Sequence, residues 1–174
     1  MWPARRGAGM VSAMDTEIRP AQADEVAVLA RLWLDGWQDA HANILPAELA
    51  RWRTLASFSE RLAAALPQTR VAGPLGAPLG LCILKGDELY QLYVSAAARG
   101  TGVAAALIAD AEARLASDGV GTAWLACAIG NERAARFYEK HGWRRAGVVV
   151  NVLETPAGKL DLEVWRYEKV LTPA

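Results

Sequence analysis

The sequence predicts an α+β fold, a mixed sheet covered by helices, rather than a doubly wound parallel sheet. Three observations carry this. Segments of strand and helix period follow one another as strand, two helices, several strands, helix, strand, helix and a closing pair of strands. That last pair, "VVVNVLE" and "LDLEVWRYEKV", flanks "TPAGK", a hairpin signal. No repeat or low-complexity linker interrupts residues 15–174, which are read as a single domain, an ordinary size for a chain of 174 residues.

Each element has its own local reason. "TEIRPA" (16–21) reads as a short first strand that Pro20 stops. In "DEVAVLARLWLDGW" (24–37), Val26, Leu29, Ala30, Trp33 and Trp37 recur at helical spacing behind acids in the first turn. After "HANILP" a second helical region runs from about Pro46 to Leu66. "TRVAGPLGAPLGLCILKGDELYQLYV" (69–94) has the Pro/Gly turns and apolar runs of two or three strands. Residues 102–117 read as a helix closed by Gly119, and "TAWLACAI" (122–129) as a buried strand. "NERAARFYEKH" (131–141) is a helix with Asn131 as N-cap and Gly142 as C-cap. Residues 1–14 are expected to be a disordered N-terminal extension, with Met14 a natural first residue.

Composition excludes whole classes of partner. Lys plus Arg (19) balances Asp plus Glu (19), so no global field recruits nucleic acid or an anionic membrane. No apolar run approaches the ~20 residues of a membrane span, and the N-terminus lacks the apolar stretch of a secretory signal. A cytoplasmic location is expected. Cys82 and Cys127 sit in the apolar runs "LGLCIL" and "AWLACAI", without metal-ligand spacing. Buried, inert thiols and no metal are the reading.

The stretch "SAAARGTGVAAALI" (95–108) breaks an alanine-rich helix start with Arg99, Gly100 and Gly102, although glycine costs a helix interior roughly 1 kcal/mol relative to alanine. It follows the strand "ELYQLYV" (88–94). A strand feeding a glycine-rich turn and a helix N-terminus makes an anion site, because unpaired N–H groups and the helix dipole point the same way. Arg99 adds a fixed cation. A plain helix start is the blander alternative. Gly100-x-Gly102-x-x-Ala105 fits a dinucleotide fingerprint, which calls for an acid ~20 residues on at the end of the next strand. "GVGTAWLACAIGN" supplies none before Glu132, inside the next helix. That reading fails its context.

Arg99-x-x-Gly102-x-Ala104 instead resembles the Q/R-x-x-G-x-G/A acetyl-CoA signature of the GNAT superfamily of N-acetyltransferases. "GNERAARFYEKHGW" (130–143) is similar to that superfamily's next block, with Asn131, Ala134, Phe137, Tyr138, Gly142 and Trp143 in place. The resemblance spans roughly residues 16–170 and its specific motifs 88–143. It implies the acyl-CoA N-acyltransferase fold: about six or seven mostly antiparallel strands with helices on both faces, splayed between the strand ending near Val94 and the strand ending near Ile129.

It also implies acetyl-CoA as cosubstrate. By similarity, the backbone of Arg99, Gly100, Thr101, Gly102, Val103, Ala104 and Ala105 holds the pyrophosphate. Leu92, Tyr93 and Val94 bond the pantetheine arm as an added strand would; Asn131, Ala134 and Phe137 border the same arm. Arg133 and Arg136 are within reach of a ribose 3′-phosphate or simply solvated. Tyr138 matches the proton donor to the departing thiolate, the plainer alternative being a core tyrosine. Glu88 stands where one branch of the superfamily carries its base, the alternatives being ordered water as the base and a plain exposed acid after the "KGD" turn. Even spacing puts Glu88, Tyr90, Leu92 and Val94 on one strand face. The acceptor side, built in this superfamily by the first two helices, their connection and the last hairpin, offers Trp37, His41, Glu163 and Trp165, with Tyr90 of the 88–94 strand as a further candidate. Trp33 reads as core, His41 as a loop histidine, and Glu163 and Trp165 share a face.

The expected activity is acetyl transfer from acetyl-CoA to a primary amine (small molecule, amino acid or peptide N-terminus) by direct attack in a ternary complex. Its rival is an acyl-CoA-binding sensor of the same fold. A homodimer through the terminal hairpin is a further expectation.

Overall fold

The computed structural model describes residues 16–173, so the expected extension over 1–14 lies outside the described residues. β1 (Ile18–Pro20) ends at its proline, and a single 3₁₀ turn leads into α1 (Val26–His41). α1 continues one turn past the expected end at Trp37, so His41 is its last residue rather than a loop residue. The second helical region is two helices, α2 (Ala47–Trp52) and α3 (Leu55–Ala64). Thr54 divides them: its hydroxyl accepts from the Ser57 amide at 3.2 Å, and its own amide donates to the Ser57 hydroxyl at 3.1 Å. This reciprocal cap starts a new helix where apolar periodicity alone reads straight through.

Three strands follow, β2 (Thr69–Ala72), β3 (Gly80–Lys85) and β4 (Glu88–Val94), then α4 (Val103–Ser117), β5 (Thr122–Ala128) and α5 (Glu132–Lys140). The hairpin of β6 (Arg144–Thr155) and β7 (Gly158–Val170) closes the chain. One seven-stranded sheet results, in the order β1-β2-β3-β4-β5-β7-β6. Among the described strands only β4 and β5 run parallel, as a strand–helix–strand crossover through α4 requires.

Alternation along the strands builds a core on each face. Val71, Leu81 and Ile83 point to α1, α2 and α3, where Leu29, Trp33, Leu49, Phe58 and Leu62 are buried. Ala72, Cys82 and Leu84 point the other way, to Leu107, Ile108, Ala111 and Leu115 of α4. Helices therefore cover both faces, as the resemblance implies. Among the described residues no helix is long and apolar enough to cross a membrane.

One feature of β4 departs from simple alternation. Leu84 pairs with Leu89 but Ile83 pairs with Gln91, which leaves Tyr90 as the extra residue of a β-bulge. A bulge places two residues opposite one and re-aims those beyond it. Tyr90 and Tyr93 consequently pack on the α1/α3 side, while Leu89, Leu92 and Val94 pack on the α4 side. The expectation that Glu88, Tyr90, Leu92 and Val94 share one face is corrected on this ground.

Candidate active site

The sheet parts where β4 meets β5. Their registered pairing is limited to Glu88 with Trp124, at the start of both strands. Asp87 pins that end: its carbonyl accepts from the Trp124 amide at 3.2 Å and its carboxylate from the indole Nε1 at 3.0 Å. Beyond the bulge at Tyr90 the strands diverge, leaving backbone groups free to bond an extended ligand. A cleft with two arms occupies the gap.

The first arm, about 1220 Å³ of space open to solvent, runs to the N-terminus of α4. Leu92, Tyr93 and Val94 form one wall, Arg99, Gly100, Gly102, Ala104 and Ala105 its end, and Asn131, Ala134, Phe137 and Tyr138 the other wall. Gly102 is the N-cap with φ +87° and Gly100 has φ +73°. These left-handed conformations suit glycine and turn successive amides to one side. The first helical bond runs from Ala106 to the Gly102 carbonyl at 3.0 Å, so the N–H groups of Val103, Ala104 and Ala105 have no intrahelical acceptor.

Not every residue of the turn contributes in the expected way. The amides of Arg99 and Thr101 are already bonded, to Ala96 and Ala98 carbonyls, by the short 3₁₀ turn that precedes α4. The Thr101 hydroxyl also folds back on Ala98, and the Val103 side chain is buried in the core. The Arg99 guanidinium is paired with Asp39 of α1, which also holds Arg133 at 3.2 Å. Hydrogen bonds from Arg133 and Arg99 keep the Asp39 carboxyl below the usual range. Arg136 is exposed and lines neither arm.

The second arm, about 930 Å³ of space open to solvent, lies between α1, α2, α3 and the β6–β7 hairpin. Trp37, His41, Glu88 and Tyr90 line it, together with Arg53, Arg61, Asn151, Leu153 and Leu162. Glu163 and Trp165 do not. Leu162 and Val164 face this arm, so alternation turns the residues between and beyond them away. Glu163 is exposed, and Trp165 stacks under the Arg145 guanidinium, 3.8 Å from its ring centroid. The two arms meet at Leu92, Tyr93, Asn131, Ala134 and Tyr138. Asn131 accepts from the Ala134 amide at 3.3 Å as the α5 cap, and still borders both arms.

Burial sets the protonation of the groups around this junction. Tyr138, 9% exposed, has its phenol pushed well above the ordinary value, so it holds its proton. Glu88 is raised as well, by burial first and then by Asp87, with Lys85 and Arg166 opposing. Burial lowers His41 to about 4, which makes it a neutral imidazole at neutral pH. Cys127 lines the second arm, but burial pushes its thiol up to about 11, and that of Cys82 up to about 12. Neither is a thiolate nucleophile. Among the described residues no cluster of His, Cys, Asp or Glu is arranged to hold a metal.

Residues that sequence reasoning missed fall into two groups. Gly36 and Ala40 of α1, with Lys140 and His141 at unspecified positions of the 130–143 block, line the first arm. Arg53, Arg61 and Asn151 line the second arm. None is a position that either motif specifies; packing of α1–α3, α5 and the hairpin around the bulged strand brings them together.

The family model described as the acetyltransferase (GNAT) family matches residues 29–143. Among solved structures, the chain is similar to a GCN5-related N-acetyltransferase from Rhodopseudomonas palustris, at 24% identity and TM-score 0.71, over 90% of this chain and 96% of that one. It is similar to the PaiA N-acetyltransferase from Thermoplasma acidophilum in complex with coenzyme A, at 18% identity and TM-score 0.67, over 90% and 99%. It is also similar to a ribosomal-protein-alanine N-acetyltransferase from Brucella melitensis, at 17% identity and TM-score 0.61, over 89% and 99%. No curated protein matches the sequence.

Proposed function

Since this chain belongs to the acetyltransferase (GNAT) family, we propose that it moves the acetyl group of acetyl-CoA to a primary amine by direct attack in a ternary complex. Supporting observations are the uncapped amides at the start of α4, the open β4–β5 edge and the solved relative with coenzyme A. In this reading the N–H groups of Gly102–Ala105 hold the pyrophosphate, and Leu92–Val94 with Asn131 hold the pantetheine arm. The cosubstrate supplies an activated thioester. An alkyl amine with a reference pKa near 10.4 is almost entirely protonated at neutral pH. Glu88, raised by burial, takes that proton directly or through water, and Tyr138 gives its phenolic proton to the departing sulfur.

The single observation that carries this reading is Tyr138 at the junction of the two arms, buried and protonated. Its test is titration with acetyl-CoA, followed by tryptophan fluorescence, in the wild type and Gly102→Glu. The variant is expected to lose binding, because a carboxylate and a strained backbone then occupy the phosphate position. Equal binding overturns the assignment of the loop. Coenzyme A binding without free thiol release across amine classes overturns transfer itself and leaves a sensor.

The same reading takes residues 15–174 as one catalytic domain acting in the cytoplasm, and a second copy as the cover of β6. That edge strand exposes Val148, Val150 and Val152 at 56%, 56% and 53%. An open apolar edge of this kind is normally paired or covered.

A further inference from the structure

Resting on the transferase reading above, we propose that the acceptor is an amine that also carries a carboxylate, gripped by Arg53 and Arg61 in the acceptor arm. Nine other cationic side chains among the described residues reach an aspartate or glutamate. These two, facing a common cavity, are in no ion pair with a described residue. Half-buried cations without a counter-charge are costly, and a bound anion recovers that cost.

The pair is also built for recognition. The Arg61 Nη2 donates to the Tyr90 hydroxyl at 2.6 Å, and its guanidinium lies 4.6 Å from the Trp33 ring centroid and 5.4 Å from that of Phe58. The fork is held on an aromatic bed with most of its donors uncommitted. Arg53 stands at the α2–α3 break that the Thr54 cap creates. Burial, and next the charge of Arg61, lowers it, and both side chains line the same arm. Planar forks of this kind take a carboxylate in two parallel bonds.

Glu88 does not supply that carboxylate. The charges acting on it are Lys85, Asp87 and Arg166, not the arginine pair. The arm thus has a cationic end and, two residues along β4 from Tyr90, an anionic one. An amino-carboxylate complements both poles, with its amine turned to Glu88 and the junction at Tyr138. Leu45, Leu49 and Leu153 leave apolar wall for the rest of the molecule. Free amino acids and short analogues are the class that fits.

The test is thiol release from acetyl-CoA by the full-length protein with matched acceptors: an amino acid panel, the corresponding carboxamides, and the aminoalkyl phosphonates. Carboxylates are expected to exceed carboxamides in kcat/KM by about 10- to 100-fold, the value of one or two charge-assisted bonds. Arg53→Gln is expected to shrink that ratio toward one, through KM rather than kcat. Arg61→Lys keeps the charge without the fork, tolerates the aromatic bed, and is expected to shrink it partially. Carboxamides that match carboxylates, a ratio that Arg53→Gln leaves intact, or phosphonates that outrun carboxylates each overturn the proposal. If no amine is acetylated although coenzyme A still raises the melting temperature, the transferase reading alone fails. The carboxylate claim is then decided by melting the coenzyme A-loaded protein with amino acid or carboxamide. A shift with the amino acid only supports it, and equal shifts sink it.

Discussion

Glu88 and His41 line the same small cavity, and burial moves them in opposite senses because it disfavours whichever form is charged. Each carries a prediction. If Glu88 is the base, kcat/KM falls on the acid side as its carboxylate is protonated. Glu88→Gln is expected to lower the plateau about 10²-fold and flatten that limb. Tyr138→Phe is expected to cost kcat by about 10²-fold with the acetyl-CoA dissociation constant unchanged, as pH–rate profiles and fluorescence titration will read. His41 makes a statement about stability. Its folded value of about 4 lies below the unfolded 6.5, so in that interval the unfolded chain binds the proton and the folded chain does not. Its contribution is whole above pH 6.5 and is lost as pH falls to about 4, at most about 3 kcal/mol. His41→Phe keeps the stack on Trp37, whose ring centroid is 5.3 Å away. The variant is expected to lose less stability than wild type between those two pH values in denaturant melts.

At the scale of elements, the short β1 is tied to the start of α1 by a nearly buried ion pair. Arg19 reaches both Glu25 oxygens, at 2.7 and 2.8 Å, while its Nε donates to the Gly73 carbonyl at 2.9 Å. Glu25 also accepts from the Gln22 amide at 3.0 Å, which caps the helical entry. The pair's geometry is costly to break from one side, since Glu25 is 3% exposed. Arg19→Met is expected to destabilise by about 3 kcal/mol or more in urea unfolding. The double variant with Glu25→Leu is expected to recover much of that loss, because no uncompensated charge remains. Close packing of α1 on β4 depends likewise on Gly36: a Cβ there would stand 2.7 Å from Tyr93 Cδ1. That contact sets the distance between the acceptor-side helices and the strand that opens the cleft.

The whole molecule is two helix-covered half-sheets joined at a single pinned point, Asp87 with Trp124. The cleft follows from that topology, not from any one side chain. The far edge of the sheet, β6, turns Val148, Val150 and Val152 outward while Asn151 and Leu153 of the same strand line the second arm. A homodimer over this edge would therefore abut the arm proposed to take the acceptor. Light scattering is expected to give twice the chain mass for the wild type and a monomer for Val150→Lys. A wild type that is monomeric at all concentrations removes the dimer from the reading.

Local chemistry made much of this legible from the residues alone. The strand–glycine turn–helix over 88–117 and the Asn131-capped helix are determined by near neighbours in sequence, whereas the arms' shared residues Asn131, Ala134 and Tyr138 are picked out by the family resemblance. What only the tertiary structure decided depends on partners far along the chain. Asp39 claims Arg99 across sixty positions, the bulge at Tyr90 reverses the faces of β4, and Glu163 and Trp165 turn out of the acceptor arm. Arg53 and Arg61 become a site only when α3 is laid against β4. Periodicity and caps report backbone preferences over a few residues, whereas the balance of charges in a cavity is set by which surfaces the fold brings face to face.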